Sequence, residues 1–170
     1  MNEAVYDGFV SRHLNRRISR PLARLLAHTP ATPNQVSIAS LGLALACFGC
    51  FAYGYYIAGA LLAQASSIAD GIDGDLARQK NMTSAFGGFM DAILDRYADS
   101  LILLGLTIWA AGDSETYVWV VGFWALAGTF TVTYTRARID VQSGSTPPFD
   151  RGITSVASRD VRLLIVMVGG

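Results

Sequence analysis

Four aspartates near the middle of this 170-residue chain have a spacing that could support metal chemistry. Asp70 and Asp73 are spaced i, i+3, and Asp91 and Asp95 are spaced i, i+4, so each pair falls on one face of a helix. The loop over residues 79–86 is short enough to make the two helices antiparallel neighbours, which brings the carboxylates together. Such a cluster needs compensating charge, and hard oxygen ligands suit Mg²⁺, Mn²⁺ or Ca²⁺ better than zinc. We therefore predict a divalent-metal site.

The elements that position these aspartates have the composition of membrane helices. Hydrophobic side chains make up 52% of the chain and charged ones only 15%. Every Lys and Arg falls within residues 12–24, 78–96 or 136–162, and a soluble domain would scatter its cations more evenly. We therefore predict an all-α integral membrane protein. The net charge of zero gives no indication of a nucleic-acid partner.

Two regions are expected along the chain. Residues 1–30 alternate arginines with apolar residues and predict an amphipathic juxtamembrane helix on an anionic membrane surface, the alternative being a solvated helix. This region lacks the apolar core and cleavage site of a signal peptide, so no processing is expected. Residues 31–170 form the predicted transmembrane domain. Its apolar segments cover 36–53, 57–78, 87–111 and 116–135, followed by a polar loop over 136–158 and a fifth segment from Val161 to the chain end.

The basic blocks all fall on one side of this arrangement of spans. By the positive-inside rule that side is the cytoplasm, so the aspartate loop faces the cytoplasm of a multi-pass cell-membrane protein. The glycosylation sequon at Asn81 lies on the same side, and we expect no glycan there.

The residues from Asp70 to Asp95 spell D-x2-D-G-x2-A-R-x8-G-x3-D-x3-D. This pattern resembles the signature of the CDP-alcohol phosphotransferase family, and every fixed position is met. The resemblance implies a homodimer of six-span chains, two divalent ions (Mg²⁺ or Mn²⁺), and displacement of CMP from a CDP-linked lipid by an alcohol. With four complete spans and part of a fifth, the sequence is expected to be truncated at its C-terminus.

The resemblance also implies a role for each residue of the pattern. Asp70, Asp73 and Asp91 would bind the metals, and Asp95 would bind metal and also take the proton of the attacking hydroxyl. A base is chemically needed because an alcohol is a poor nucleophile at neutral pH. Arg78 would bind the donor's phosphates, the alternative being an ordinary membrane-edge arginine. The expected donor-binding set is Gly74, Ala77, Arg78, Ser84 and Gly87.

Four further arginines could bind the acceptor. Arg136 and Arg138 end the fourth predicted span, and Arg159 and Arg162 open the fifth, where they could bind a phosphate. The alternative is that they only mark the cytoplasmic side. Both stretches resemble segments of phosphatidylinositol-phosphate synthases, whose acceptor is inositol 1-phosphate. A phosphatidylglycerophosphate synthase using glycerol 3-phosphate would need the same arginines.

Three other interpretations fit the sequence less well than a transferase with a divalent-metal site. A divalent-cation transporter could also line its path with carboxylates, but Arg78 beside them would repel a permeating cation. Cys47 and Cys50 suggest a redox or zinc site, yet there is no second ligand pair, and they lie in an apolar span where small residues pack. A calcium loop starting at Asp73 fails, since its twelfth position is Ser84 rather than glutamate.

Overall fold

The structure, a computed structural model, describes residues 15–112 and 116–143. All regular secondary structure in these two ranges is helical, which confirms the all-α prediction. The five helices are α1 (Arg16–Ala27), α2 (Pro33–Ala52), α3 (Tyr56–Gln79), α4 (Ala85–Ala111) and α5 (Thr116–Ser143).

Two helices in the described ranges are long and apolar enough to cross a membrane by length and composition. They are α2 and the Thr116–Thr135 part of α5. Helices α3 and α4 have 24 and 27 residues, which at 1.5 Å per residue is about 36 and 40 Å and exceeds the roughly 30 Å of a bilayer core. Their composition departs from that of a simple span because they carry the aspartates.

Capping residues set the ends of the helices that surround the aspartates. Thr32 and Gln35 form a capping box at the start of α2, each side chain accepting from the other's backbone N–H, and Pro33 occupies the first turn. Ser84 caps α4, and its Oγ accepts from the backbone N–H of Gly87 at 2.9 Å. Helix α2 therefore begins before the apolar segment that the sequence places at residues 36–53.

Helix α5 is longer than the sequence predicted. Residues 136–143, which we assigned to a polar loop, continue the helix to Ser143. They contain neither glycine nor proline, and the first helix-breaking residue is Gly144. The rest of that predicted loop and the fifth apolar segment lie outside the described residues.

Helix α2 is central to the packing. It packs closely against both α3 and α4, whereas the backbones of α3 and α4 hardly approach each other, which corrects the prediction that they are direct neighbours. Ser40 and Ser66 each donate to the other's carbonyl oxygen, at 2.9 and 3.0 Å, and join α2 to α3. On the α4 side, a Cβ at Gly105 would lie only 2.9 Å from the Cα of Phe48. Small and hydroxyl side chains allow this close approach, as is typical of membrane helices.

The cysteines take part in this packing. Cys47 is buried in the core, and its Sγ donates to the carbonyl oxygen of Gly59 at 3.1 Å. Cys47 and Cys50 are both free thiols. The prediction that Cys47 serves as a small packing residue is confirmed.

Helix α1 lies against α3 through a polar and small face. Asn15, Ser19 and Ala23 are buried at i, i+4 and i+8. Ile18 and Leu25, by contrast, are 41% and 67% exposed. An apolar stripe that faces away from the bundle, together with the exposed arginines of α1, fits a helix lying on a membrane surface.

Candidate active site

Three of the four predicted aspartates bring their carboxylates to one point. One oxygen each of Asp70, from α3, and of Asp91 and Asp95, from α4, lie within 4.8 Å of one another, and all three residues are partly buried. Three carboxylates on two helices form a set of hard oxygen donors of the kind that binds Mg²⁺ or Mn²⁺. The residues present therefore fit the divalent metal that the sequence predicted.

Asp73 lies beside this cluster and has a partner of its own. It is 5% exposed and accepts a hydrogen bond of 2.6 Å from Ser37 Oγ of α2. Asp73 and Asp91 line the same cavity. The fourth aspartate is thus close to the others but outside the three-carboxylate group. Ser37, which orients it, was not predicted.

The cavity next to the carboxylates contains the whole predicted donor-binding set. It has a volume of about 250 Å³ and is bounded by α2, the end of α3, the loop after it and the start of α4. Because Asp73 and Asp91 form part of its wall, a ligand in the cavity would touch two of the four aspartates that the sequence predicts to bind metal. The predicted donor residues that line it are Gly74, Ala77, Arg78, Ser84 and Gly87.

The N-terminus of α2 forms the opposite wall, which the sequence interpretation missed. Pro33, Asn34 and Ser37 line the cavity there. A helix N-terminus carries a partial positive charge and suits an anionic ligand. Lys80 Nζ ties this segment to the end of α3 by donating to the carbonyl oxygens of Thr29 and Ala31, at 2.6 and 2.7 Å.

Arg78 is held at the edge of the cavity by a carboxylate outside the signature. Its Nη2 donates to Asp75 Oδ1 at 2.6 Å. Asp75 is 8% exposed, and its other oxygen accepts from Ser19 Oγ of α1 at 3.3 Å. The i, i+3 spacing of Asp75 and Arg78 was visible in the sequence, but the contact with α1 was not.

A second arginine lies beside Asp95. Arg96 Nη2 is 3.6 Å from both Asp95 Oδ2 and Asp99 Oδ2, and Arg96 Nη1 donates to Thr133 Oγ1 of α5. Arg96 therefore supplies positive charge next to two carboxylates and joins α4 to α5. From the sequence, Arg96 belongs to the basic block over residues 78–96 and has no predicted role in the site.

The predicted acceptor arginines are only partly described. Arg138 is exposed on α5. Arg136 lies on the same helix, but its side chain is outside the described residues, as are Arg159 and Arg162 entirely. The acceptor pocket therefore stays a prediction.

Curated proteins similar to this chain include a bifunctional transferase and a lipid synthase. A bifunctional IPC transferase and DIPP synthase from Rubrobacter xylanophilus is 46% identical over 96% of this chain. The match covers 36% of that relative, so this chain spans about a third of its length. An archaetidylinositol phosphate synthase from Methanothermobacter thermautotrophicus is 33% identical, over 99% of this chain and 78% of the relative.

A solved structure shares the fold. The phosphatidylinositol phosphate synthase of Mycobacterium tuberculosis with CDP-DAG bound is 29% identical, with a TM-score of 0.71 over 90% of this chain and 75% of that one. The same enzyme in complex with manganese and citrate gives 28% identity and a TM-score of 0.71, over 89% and 71% of the two chains.

The family assignment covers most of the sequence. Residues 30–168 match the CDP-alcohol phosphatidyltransferase family, a stretch that includes the cavity, the aspartate cluster and the predicted acceptor arginines. With the signature met at every fixed position and its residues shared between one cavity and the adjoining carboxylate cluster, the chain belongs to the CDP-alcohol phosphatidyltransferase family of membrane proteins.

Proposed function

We propose that this protein transfers a phosphatidyl-type group from CDP-diacylglycerol to inositol 1-phosphate and releases CMP. The observation that carries the proposal is one cavity in which the five predicted donor-binding residues meet Asp73 and Asp91, beside the Asp70–Asp91–Asp95 cluster. The similar proteins support the donor and the acceptor, since the solved synthase holds CDP-DAG and the relatives are named for inositol lipids. Family membership favours this transferase over a cation transporter.

In the proposed reaction the acceptor hydroxyl oxygen attacks the donor phosphorus that carries the diacylglycerol. The new oxygen–phosphorus bond forms as the pyrophosphate bridge breaks, and the bridging oxygen leaves with CMP. Asp95 accepts the hydroxyl proton, which makes the oxygen a better nucleophile. Arg78, at the cavity edge, binds the donor's phosphates through its several N–H groups.

We further propose that Asp70, Asp73, Asp91 and Asp95 together hold two divalent ions, Mg²⁺ or Mn²⁺. When bound, such ions neutralise the pyrophosphate and the charge that develops on the departing CMP. The 4.8 Å grouping of three of these carboxylates and the manganese complex of the solved synthase support a divalent site.

The substrate preference tests the function. Purified protein in detergent, supplied with CDP-diacylglycerol and Mn²⁺, is expected to release CMP with inositol 1-phosphate and much less with free inositol or serine, and glycerol 3-phosphate is tested as the alternative phosphorylated acceptor. A phosphorylated acceptor gains from charge-assisted hydrogen bonds to arginine, each contributing roughly 1.5–3 kcal/mol. Preference for glycerol 3-phosphate would indicate a phosphatidylglycerophosphate synthase. Preference for free inositol would mean that the arginines only mark the cytoplasmic side of the membrane and do not bind a phosphate. These arginines are Arg136, Arg138, Arg159 and Arg162.

We also propose that the chain crosses the cell membrane several times, as a homodimer, with the cavity facing the cytoplasm. The distribution of Lys and Arg supports the orientation, and the lengths of α2 to α5 support the crossings. A cysteine introduced at Ser84 should react with a membrane-impermeant reagent only from the cytoplasmic side, and one at Ser114 only from outside. Labelling of both from the same side would contradict this topology.

A further inference from the structure

Asp75 occupies a variable position of the signature, yet it makes a short polar contact with an arginine at the cavity edge. Its Oδ1 accepts from Arg78 Nη2 at 2.6 Å. Asp75 itself is 8% exposed and does not line the cavity, whereas the Arg78 side chain is 44% exposed and does. Asp75 thus contacts Arg78 from outside the cavity, whereas Arg78 itself lines the cavity.

Helix α1 holds the other side of Asp75. Ser19 is fully buried, and its Oγ donates to Asp75 Oδ2 at 3.3 Å. A Cβ built at Gly71 would be 3.4 Å from Ser19 Oγ, an ordinary van der Waals distance, so α1 passes close to α3 at this point. A continuous line of polar contacts therefore runs from α1 through Ser19 and Asp75 to Arg78.

This arrangement affects what Arg78 can do for a ligand. A guanidinium has five N–H donors, and the contact with Asp75 is made by one of its nitrogens, Nη2, so other donors can face the cavity. An arginine held by a buried carboxylate has already lost part of its rotamer freedom, so less is lost when it binds a phosphate.

We propose that Asp75, held by Ser19, is a positioning residue that fixes the Arg78 guanidinium toward the donor cavity. Helix α1 then contributes to donor binding as well as to membrane association. This inference rests on the proposed function, in which the cavity binds the phosphates of a CDP-linked donor.

Asp75 could instead weaken donor binding, which is the opposite of the proposed effect. A carboxylate next to Arg78 also competes with the phosphates for its positive charge. If competition outweighed positioning, removal of the carboxylate charge would tighten donor binding. The direction of the change in donor affinity therefore decides between the two.

The test measures the affinity of the full chain in detergent for CDP-diacylglycerol with Mn²⁺, in wild type, Asp75→Asn, Arg78→Ala and the double variant. We expect Asp75→Asn to weaken donor binding roughly five- to twentyfold, with kcat at saturating donor within about threefold of wild type. In the Arg78→Ala background the same substitution should change the affinity by less than about twofold, because the residue that it positions is gone. Ser19→Ala should weaken binding in the same direction but less.

Gln64→Ala is the matched control on the same helix interface. Gln64 Nε2 donates to Asn15 Oδ1 of α1 at 2.7 Å, about four helical turns from Arg78 along α3. We expect this variant to bind the donor like wild type. An equal loss of affinity in Gln64→Ala would show that the general docking of α1 matters instead, which would overturn the proposal. Unchanged or tighter donor binding by Asp75→Asn would also overturn it. So would additive losses of affinity in the double variant. Absence of donor binding by the wild type would instead contradict the proposed function.

Discussion

Asp70→Asn and Asp91→Asn are each expected to reduce the transfer rate at least about a hundredfold while the protein still folds and enters the membrane. Each substitution removes one negative oxygen ligand from the cluster in which the carboxylates of Asp70, Asp91 and Asp95 lie within 4.8 Å. Even changes in the residues around metal ligands cost roughly 10- to 100-fold, so loss of a ligand should cost more. CMP release measures the transfer activity. A Mn²⁺ titration, monitored by electron paramagnetic resonance, measures the loss of ion binding.

Asp99→Asn is the matched control for these variants. It makes the same chemical change on α4, one turn beyond Asp95, at a buried aspartate that lies outside the cluster and next to Arg96. We expect Asp99→Asn to bind Mn²⁺ like wild type. EDTA should abolish the activity of the wild type, and added Mn²⁺ or Mg²⁺ should restore it. Full turnover in EDTA would contradict a metal-dependent reaction.

Asp95→Asn is expected to lower kcat by about 10²–10⁴-fold, the range typical of losing a general base, while much of the affinity for the CDP-linked donor remains. The reason is that the proposed proton transfer begins only when an acceptor alcohol is present. Asp95 is at the metal cluster but does not line the donor cavity, whereas Asp91 belongs to both. Donor binding and single-turnover rates, measured at saturating Mn²⁺, separate the two effects.

Arg78→Ala provides the contrasting pattern. Because Arg78 lines the donor cavity, its loss should raise the donor Kd roughly ten- to a hundredfold and leave the acceptor KM nearly unchanged. A variant of Asp95 that lost donor affinity as strongly as Arg78→Ala, with an unchanged rate once saturated, would show that Asp95 serves in binding and not as the base.

The signature residues could be located without coordinates because their chemistry follows from local spacing. Residues three or four apart share a helix face, so Asp70 and Asp73, and likewise Asp91 and Asp95, could be assigned to common faces. The capping box at the start of α2 is equally local, since it depends on residues three positions apart. The membrane character followed from the distribution of charge along the chain.

Contacts between helices were decided by tertiary structure. Ser37 is 36 residues from Asp73, and Ser19 is 56 residues from Asp75, so no local pattern connects them. Which residues meet depends on how each helix is rotated and where it crosses its neighbour. The apolar stripe of α1 suggested a helix held by the membrane, yet its buried face is the small and polar one against α3.

The same distinction explains why the short aspartate loop did not make α3 and α4 direct neighbours. Loop length limits how far apart two helix ends can be, but it does not specify what lies between the helices beyond those ends. Here α2 packs against both helices, through Ser40 on one side and against Gly105 on the other. Spacing along the chain thus located the candidate site residues, and only the packing of α2 and α1 showed the cavity and the contacts around them.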